Sequence, residues 1–65
     1  MKQTFLKYIG EGKKFLFVND ESLTGVYIKG GPVFPDHFDF YYVHEVGIPG
    51  DVFTAYECTE VIEVE

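Results

Sequence analysis

Phe38-Asp39-Phe40-Tyr41-Tyr42-Val43-His44-Glu45-Val46 is the longest aromatic and β-branched run in the chain, and it decides the class of fold. Such residues favour a pleated strand over a helix. With a period of two, Phe38, Phe40, Tyr42, His44 and Val46 share one face, and Asp39, Tyr41, Val43 and Glu45 share the other. The aromatic set is expected to face the core, and Asp39, Tyr41 and Glu45 to face outward. The run is expected to be the central strand of an all-β domain.

The rest of the chain has to cover that strand with few resources. In 65 residues there is room for one domain, spanning 1–65, and a single cysteine allows no internal disulfide. A chain this short buries a modest share of its surface and is marginally stable. It carries seven Phe and five Tyr instead of staples. Each ring can bury a large area in a core or an interface. Homodimerisation would supply cover that a small monomer lacks. The lone thiol suits a reducing, cytoplasmic setting. No signal peptide is recognisable in Met1–Lys7, and no apolar run is long enough to span a bilayer.

Before the central run, Thr4–Ile9 and Lys13–Val18 read as two strands of a hairpin around Gly10-Glu11-Gly12. Asn19–Ser22 is a polar turn cluster. Leu23–Lys29 reads as a third strand, with Gly25 marking a bulge. Gly30-Gly31-Pro32-Val33-Phe34-Pro35-Asp36 is expected to exclude regular structure, with Val33 and Phe34 tucked in as an ordered loop. After the central run, Ile48-Pro49-Gly50-Asp51 fits a type II turn. It leads to a returning antiparallel strand, Val52–Glu57. Cys58-Thr59 is a corner, and Glu60–Glu65 is a last strand or an extended tail. These pieces predict a small antiparallel barrel or curled sheet of five to six strands.

Lys7-Tyr8-Ile9-Gly10, Leu23-Thr24-Gly25-Val26-Tyr27 and the closing Val61-Ile62-Glu63-Val64-Glu65 resemble, in order and spacing, the layout of short SH3-like β-barrel proteins of bacteriophages and Gram-positive bacteria. The resemblance implies an SH3-like fold and a phage origin, with the host cytoplasm as the site of action. It carries over no functional residue. The chain departs from that layout at Val26, where a basic residue is expected, and in the Gly30–Asp36 loop.

Charge narrows the function. All five lysines lie in residues 1–30 beside three acids, whereas residues 31–65 hold eight acids and no Lys or Arg. Direct nucleic-acid binding is therefore not expected, since phosphate contacts need a basic patch. An acidic face carrying aromatics suits a host or cognate protein with a basic surface. The residues expected to form it are Asp39, Tyr41, Glu45, Asp51, Glu57, Glu60 and Glu63.

Catalytic and metal sites are not expected. His37 and His44 are too far apart along a strand, at about 3.3 Å per residue, to grip one ion together. Cys58 has no flanking basic cluster or helix start to activate it, and reads as a buried thiol. Gly10-Glu11-Gly12-Lys13-Lys14 lacks the following helix that a phosphate cradle needs. No cofactor is expected. The alternatives are a dimer that binds a nucleotide or small molecule, with Lys13, Lys14 or Lys29 meeting phosphate, and a structural or assembly subunit.

Overall fold

The computed structural model describes residues 3–64, so Met1, Lys2 and Glu65, the last residue of the expected final strand, lie outside the described residues. The strands are β1 (Gln3–Phe5), β2 (Lys14–Phe17), β3 (Tyr27–Pro32), β4 (Phe40–Glu45), β5 (Phe53–Tyr56) and β6 (Glu60–Val64), with one 3-10 turn, Leu6–Tyr8. They form a single antiparallel sheet in the order β1-β6-β2-β3-β4-β5. The all-β expectation holds. The hydrogen-bonded ladder does not close into a barrel, and β1 and β5 are its edges.

The sheet is nevertheless strongly curled. In a flat sheet β2 and β5 would stand about 14 Å apart, at roughly 4.8 Å per strand. Yet the rings of Phe17 and Phe53, one on each strand, have centroids 6.2 Å apart. The β1–β6 pairing continues past Phe5 and Glu60 and brings the chain after β1 to the β5–β6 connection. There the Leu6 amide donates to the Thr59 carbonyl (2.9 Å) and the Lys7 amide to that of Glu57 (3.0 Å). Leu6, Ile9, Phe15, Tyr27, Val43 and Val61 fill the concave side, with Phe17, Leu23, Tyr41, Phe53 and Ala55 packed against them. Phe15, Phe17, Tyr27 and Phe53 form a ring cluster with centroids 5.0–6.2 Å apart.

The expected hairpin of the first two strands does not form. β1 pairs with β6, and β2 lies between β6 and β3. The reason is local. Leu6 and Ile9 are both buried. Three residues apart, they would fall on opposite faces of a strand, whereas a 3-10 turn places them on the same side. The chain therefore leaves β geometry at Leu6, and the Ile9 amide closes the turn on the Leu6 carbonyl (3.0 Å). Beyond it Gly12, at φ +84°, donates to the Lys29 carbonyl and directs the chain toward β3.

β3 starts later and runs further than expected. Leu23–Val26 is irregular, whereas Gly30, Gly31 and Pro32 are part of the strand. An irregularity in the pairing between Lys29 and Pro32 accommodates the proline near the strand end. Gly25 lies outside the strand and has a packing role. A Cβ there would meet the Glu45 carboxylate at 2.5 Å.

The β4–β5 hairpin forms as expected, with Phe40 opposite Tyr56 and Val43 opposite Phe53. The Asp51 amide bonds the Ile48 carbonyl (3.2 Å), which closes the expected turn. It is not type II, because the positive φ that type II requires is at neither Pro49 nor Gly50; the glycine in that conformation is Gly47, at φ +88°. The expected last strand, β6, is interior to the sheet. β4 is interior too but lies one place from the edge, and β2 and β3 occupy the centre.

The two faces of β4 are reversed relative to the sequence reading. Val43 is fully buried and Tyr41 packs on the core, while Phe38, Phe40 and Tyr42 are exposed. The concave side is already occupied by rings from β2, β3 and β5. A close-packed interior of this size has no volume for three more.

Candidate functional site

The convex face of β4 and β5 is an aromatic surface. Alternation along each strand puts Phe40 and Tyr42 outward on β4, with Thr54 and Tyr56 outward on β5. The ladder register sets Phe40 against Tyr56 and Tyr42 against Thr54. The Phe40 and Tyr56 rings lie 5.5 Å apart, tilted by 58°. Phe40 remains 39 % exposed, Tyr42 44 % and Tyr56 49 %. Phe38 extends this surface toward the preceding loop. There Phe34 is also exposed, contrary to the tucked loop expected, and its ring lies 4.8 Å from that of His37. Val33, its neighbour, is half-buried.

Of the seven residues predicted to form an acidic face, the sheet brings only Asp39 and Glu57 together. The Glu57 amide donates to the Asp39 carbonyl (2.7 Å), so the two stand opposite each other just beyond the hairpin ladder. Asp39 is exposed and lies 3.4 Å from His37 Nδ1. Asp51 is exposed in the turn at the other end of the hairpin. Glu60 and Glu63 are on β6, away from β4. Glu60 Oε2 accepts from the side-chain amides of Gln3 and Asn19. Glu63 shares a shallow hollow with Gly12, Lys13, Lys14 and Val64.

Tyr41 and Glu45 point to the concave side and are half-buried, so the outward placement expected of them does not hold. Glu45 packs on Gly25 and faces Tyr27 across the β3–β4 ladder. Burial raises the Tyr27 phenol above its ordinary value, and the charges of Glu45 and Asp20 push in the same direction.

Tyr41 covers a group whose role the sequence did not reveal. Lys29 is only 5 % exposed. Its ammonium donates to the Ile9 carbonyl at 2.6 Å and sits 3.9 Å from the centre of the Tyr41 ring. Burial lowers its pKa from the ordinary lysine value, with Glu11 opposing the shift. These contacts satisfy the ammonium inside the fold and take Lys29 away from any phosphate. Lys13 and Lys14 remain exposed.

A groove of about 490 Å³ runs along the free edge of β5. Phe17, Leu23, Phe53 and Ala55 line its apolar part, and Asp20 and Glu60 bring carboxylates to it. Asp20 Oδ1 accepts from the Ser22 hydroxyl (2.6 Å) and amide (3.0 Å). Those hydrogen bonds hold its carboxyl below the ordinary value.

Cys58 also lines this groove and is exposed, not buried as expected. It sits in a tight turn closed by the Thr59 amide on the Tyr56 carbonyl (3.0 Å), which leaves its side chain outside the core. Among the described residues no three His, Cys, Asp or Glu side chains converge to hold a metal ion. No helix among them is long and apolar enough to cross a membrane.

The outward aromatic face had a signal in the sequence. A hairpin through the Pro49-Gly50 turn places the polar Thr54 opposite Tyr42, and an exposed Thr marks its cross-strand partner as outward. The chain matches no protein-family model, no curated protein and no solved structure, so what this surface does rests on its own geometry.

Proposed function

We propose that the chain is a small non-enzymatic protein-binding module, SH3-like in its curled sheet, that covers a basic surface of a host or cognate protein. The observation that carries this reading is the convex β4–β5 face. Phe38, Phe40, Tyr42 and Tyr56 are exposed together there, on a hairpin with no Lys or Arg. Partly exposed rings held on a rigid sheet are the residue types that anchor protein interfaces. Asp39, Asp51 and Glu57 lie at the two ends of the same hairpin and supply negative potential without burying a charge at its centre. Such a rim steers association with a basic partner and adds less to the lifetime of the complex. The mechanism is steric occlusion, as for an inhibitor encoded by a phage and acting in the host cytoplasm.

The test uses the tagged protein and a bacterial host lysate, with captured proteins identified by mass spectrometry and then purified. Phe40→Ser combined with Tyr42→Ser should weaken the purified complex at least about tenfold, as loss of anchoring rings does. Asp39→Lys combined with Asp51→Lys should slow association and flatten its salt dependence. Glu45 is unsuitable for charge reversal, because its carboxylate packs inside on Gly25. Unchanged affinity in both double variants would remove the convex face as the binding surface.

A further inference from the structure

We infer that the open edge of β5 is a strand-addition site for an extended peptide segment in which apolar residues alternate with Lys or Arg. This rests on the reading of the chain as a binder of basic proteins and specifies how such a partner is held.

The backbone supplies the first argument. β5 is an edge strand, hydrogen-bonded to β4 alone. The Glu57 amide bonds the Asp39 carbonyl. In an antiparallel ladder the hydrogen-bonding direction alternates, so Ala55 and Phe53 also turn their backbone groups toward β4. Thr54 and Tyr56 therefore turn theirs to the free edge. Among the described residues only the Tyr56 carbonyl is used there, by the Thr59 amide. Exposed edges are ordinarily blunted by proline, lysine, a bulge or a covering segment. Phe53-Thr54-Ala55-Tyr56 has no proline or lysine, and its pairing with β4 is regular.

The groove supplies the second. It lies along this edge, so a strand added to β5 would occupy it. Side chains on one face of that strand would meet the apolar part formed by Phe17, Leu23, Phe53 and Ala55. Cationic side chains would reach the carboxylates of Asp20 and Glu60, each already fixed by hydrogen bonds from Ser22 or from Asn19 and Gln3. Among the described residues no Lys, Arg or His lines the groove. This combination recognises backbone by hydrogen bonds and side chains by alternation, as strand addition does.

Charge also decides against a second copy as occupant. Pairing two β5 edges antiparallel about Thr54 would set Asp51 of one copy opposite Glu57 of the other. Each copy carries a net charge of −6. Like charges directly opposite one another destabilise such a pair.

The probe is a short synthetic peptide alternating lysine with valine, added to the intact protein and followed by NMR. Amide exchange at Thr54 and Tyr56 should slow at least about tenfold at saturation, since strand pairing protects those groups. The same peptide N-methylated at alternate residues, on the edge facing β5, keeps its charge but loses its donors. Its affinity should fall at least about tenfold. Asp20→Asn with Glu60→Gln should weaken the parent peptide, and a glutamate–valine peptide should not bind. Thr54→Pro, checked for native NMR dispersion, should abolish binding while the β4 side of the strand stays paired.

Binding without protection at Thr54, binding indifferent to N-methylation, or no binding of the lysine–valine peptide would each overturn strand addition. Protection that grows with protein concentration in the absence of peptide would make a second copy the occupant and overturn it as well. None of these outcomes touches the convex-face reading, which fails if the Phe40/Tyr42 and Asp39/Asp51 double variants both keep the parent's affinity for the captured partner.

Discussion

Tyr42 and Val43 are consecutive residues of β4 with opposite environments. Val43 is fully buried, touching the ring cluster of the concave side, and Tyr42 is nearly half exposed on the convex side. The larger and more apolar set of β4 side chains is the one left outside. What decides the matter is the volume remaining inside the curl. Once Phe15, Phe17, Tyr27 and Phe53 are in place, Val43, with Tyr41 and Glu45 half-buried on either side of it, fills β4's share. The comparison teaches that hydrophobic content ranks faces only where the core has room for the larger one. Rings that the core cannot take become surface, where they are available for binding.

The largest effect expected from this contrast comes from placing a carboxylate on each face in turn. Val43→Asp should abolish cooperative folding. An unpaired charge buried at that site costs several kcal/mol, against a total stability of roughly 3–10 kcal/mol for a chain of this size. Tyr42→Asp should still fold, with a melting temperature lowered by a few degrees. Thermal unfolding followed by circular dichroism distinguishes them. A cooperative melt for Val43→Asp would mean that the concave face is not the core.

Lys29 gives the next largest effect. Its stem packs inside, and its ammonium satisfies the Ile9 carbonyl. Lys29→Ala orphans that carbonyl and leaves a void, for a loss of about 1–3 kcal/mol. Lys29→Met keeps the stem without the charge and should lose less. Urea titration of the two variants measures the difference. Equal stability of both with the parent would show that the buried ammonium has no structural part.

How far the sequence shows all this differs from element to element. The β4–β5 hairpin is legible, because β-branched and aromatic runs meeting at Pro49-Gly50 have few other solutions, and β2 is legible from the apolar run Phe15-Leu16-Phe17-Val18. The partner of β1 is not. The proximity of Gly10-Glu11-Gly12 suggested a hairpin, and the competing signal was that Leu6 and Ile9, three apart, both needed burial. The strand through Gly30-Gly31-Pro32 was hidden by residues that ordinarily break strands, and it survives through an irregularity of pairing. In the candidate site, the acids and aromatics were legible as a combination, but not their faces. Shared parity with Asp39 places Tyr41 and Glu45 outside, yet Asp39 lies past the end of the covered part of the sheet. Nothing in the local sequence marks Lys29 as buried. That follows from its pairing with Val43, a contact between distant segments.

A smaller change in stability is expected on the convex side. Phe40→Ser with Tyr42→Ser removes the cross-strand ring pair with Tyr56 and should cost about 1 kcal/mol, as such pairs contribute. Chemical denaturation should show that modest loss, with the fold intact by NMR. A loss as large as that of Lys29→Ala or greater would mean that these rings act as core, and the contrast between the two faces of β4 would collapse.

The smallest effect separates two groups of the concave side by pH. The pKa of Lys29 is lowered on folding, below the ordinary 10.5, and that of Tyr27 is raised above the ordinary 10.0. For Lys29 the unfolded chain holds its proton longer. Stability from this group therefore rises as pH climbs through its folded value toward 10.5, where the ammonium no longer has to be buried charged. For Tyr27 the folded chain holds the proton longer. Its contribution is complete below pH 10.0 and is lost as pH rises through the folded value. The parent should therefore show a shallow gain on approaching pH 10 and a fall above it. Lys29→Met should keep only the fall, and Tyr27→Phe only the gain. Denaturation midpoints between pH 8 and 11 test this directly. If Lys29→Met still gains stability on approaching pH 10 to the same extent as the parent, the ammonium is solvated in the folded chain. Its contacts with Ile9 and Tyr41 would then not hold it inside, on the face of β4 that Tyr41 shares with Val43.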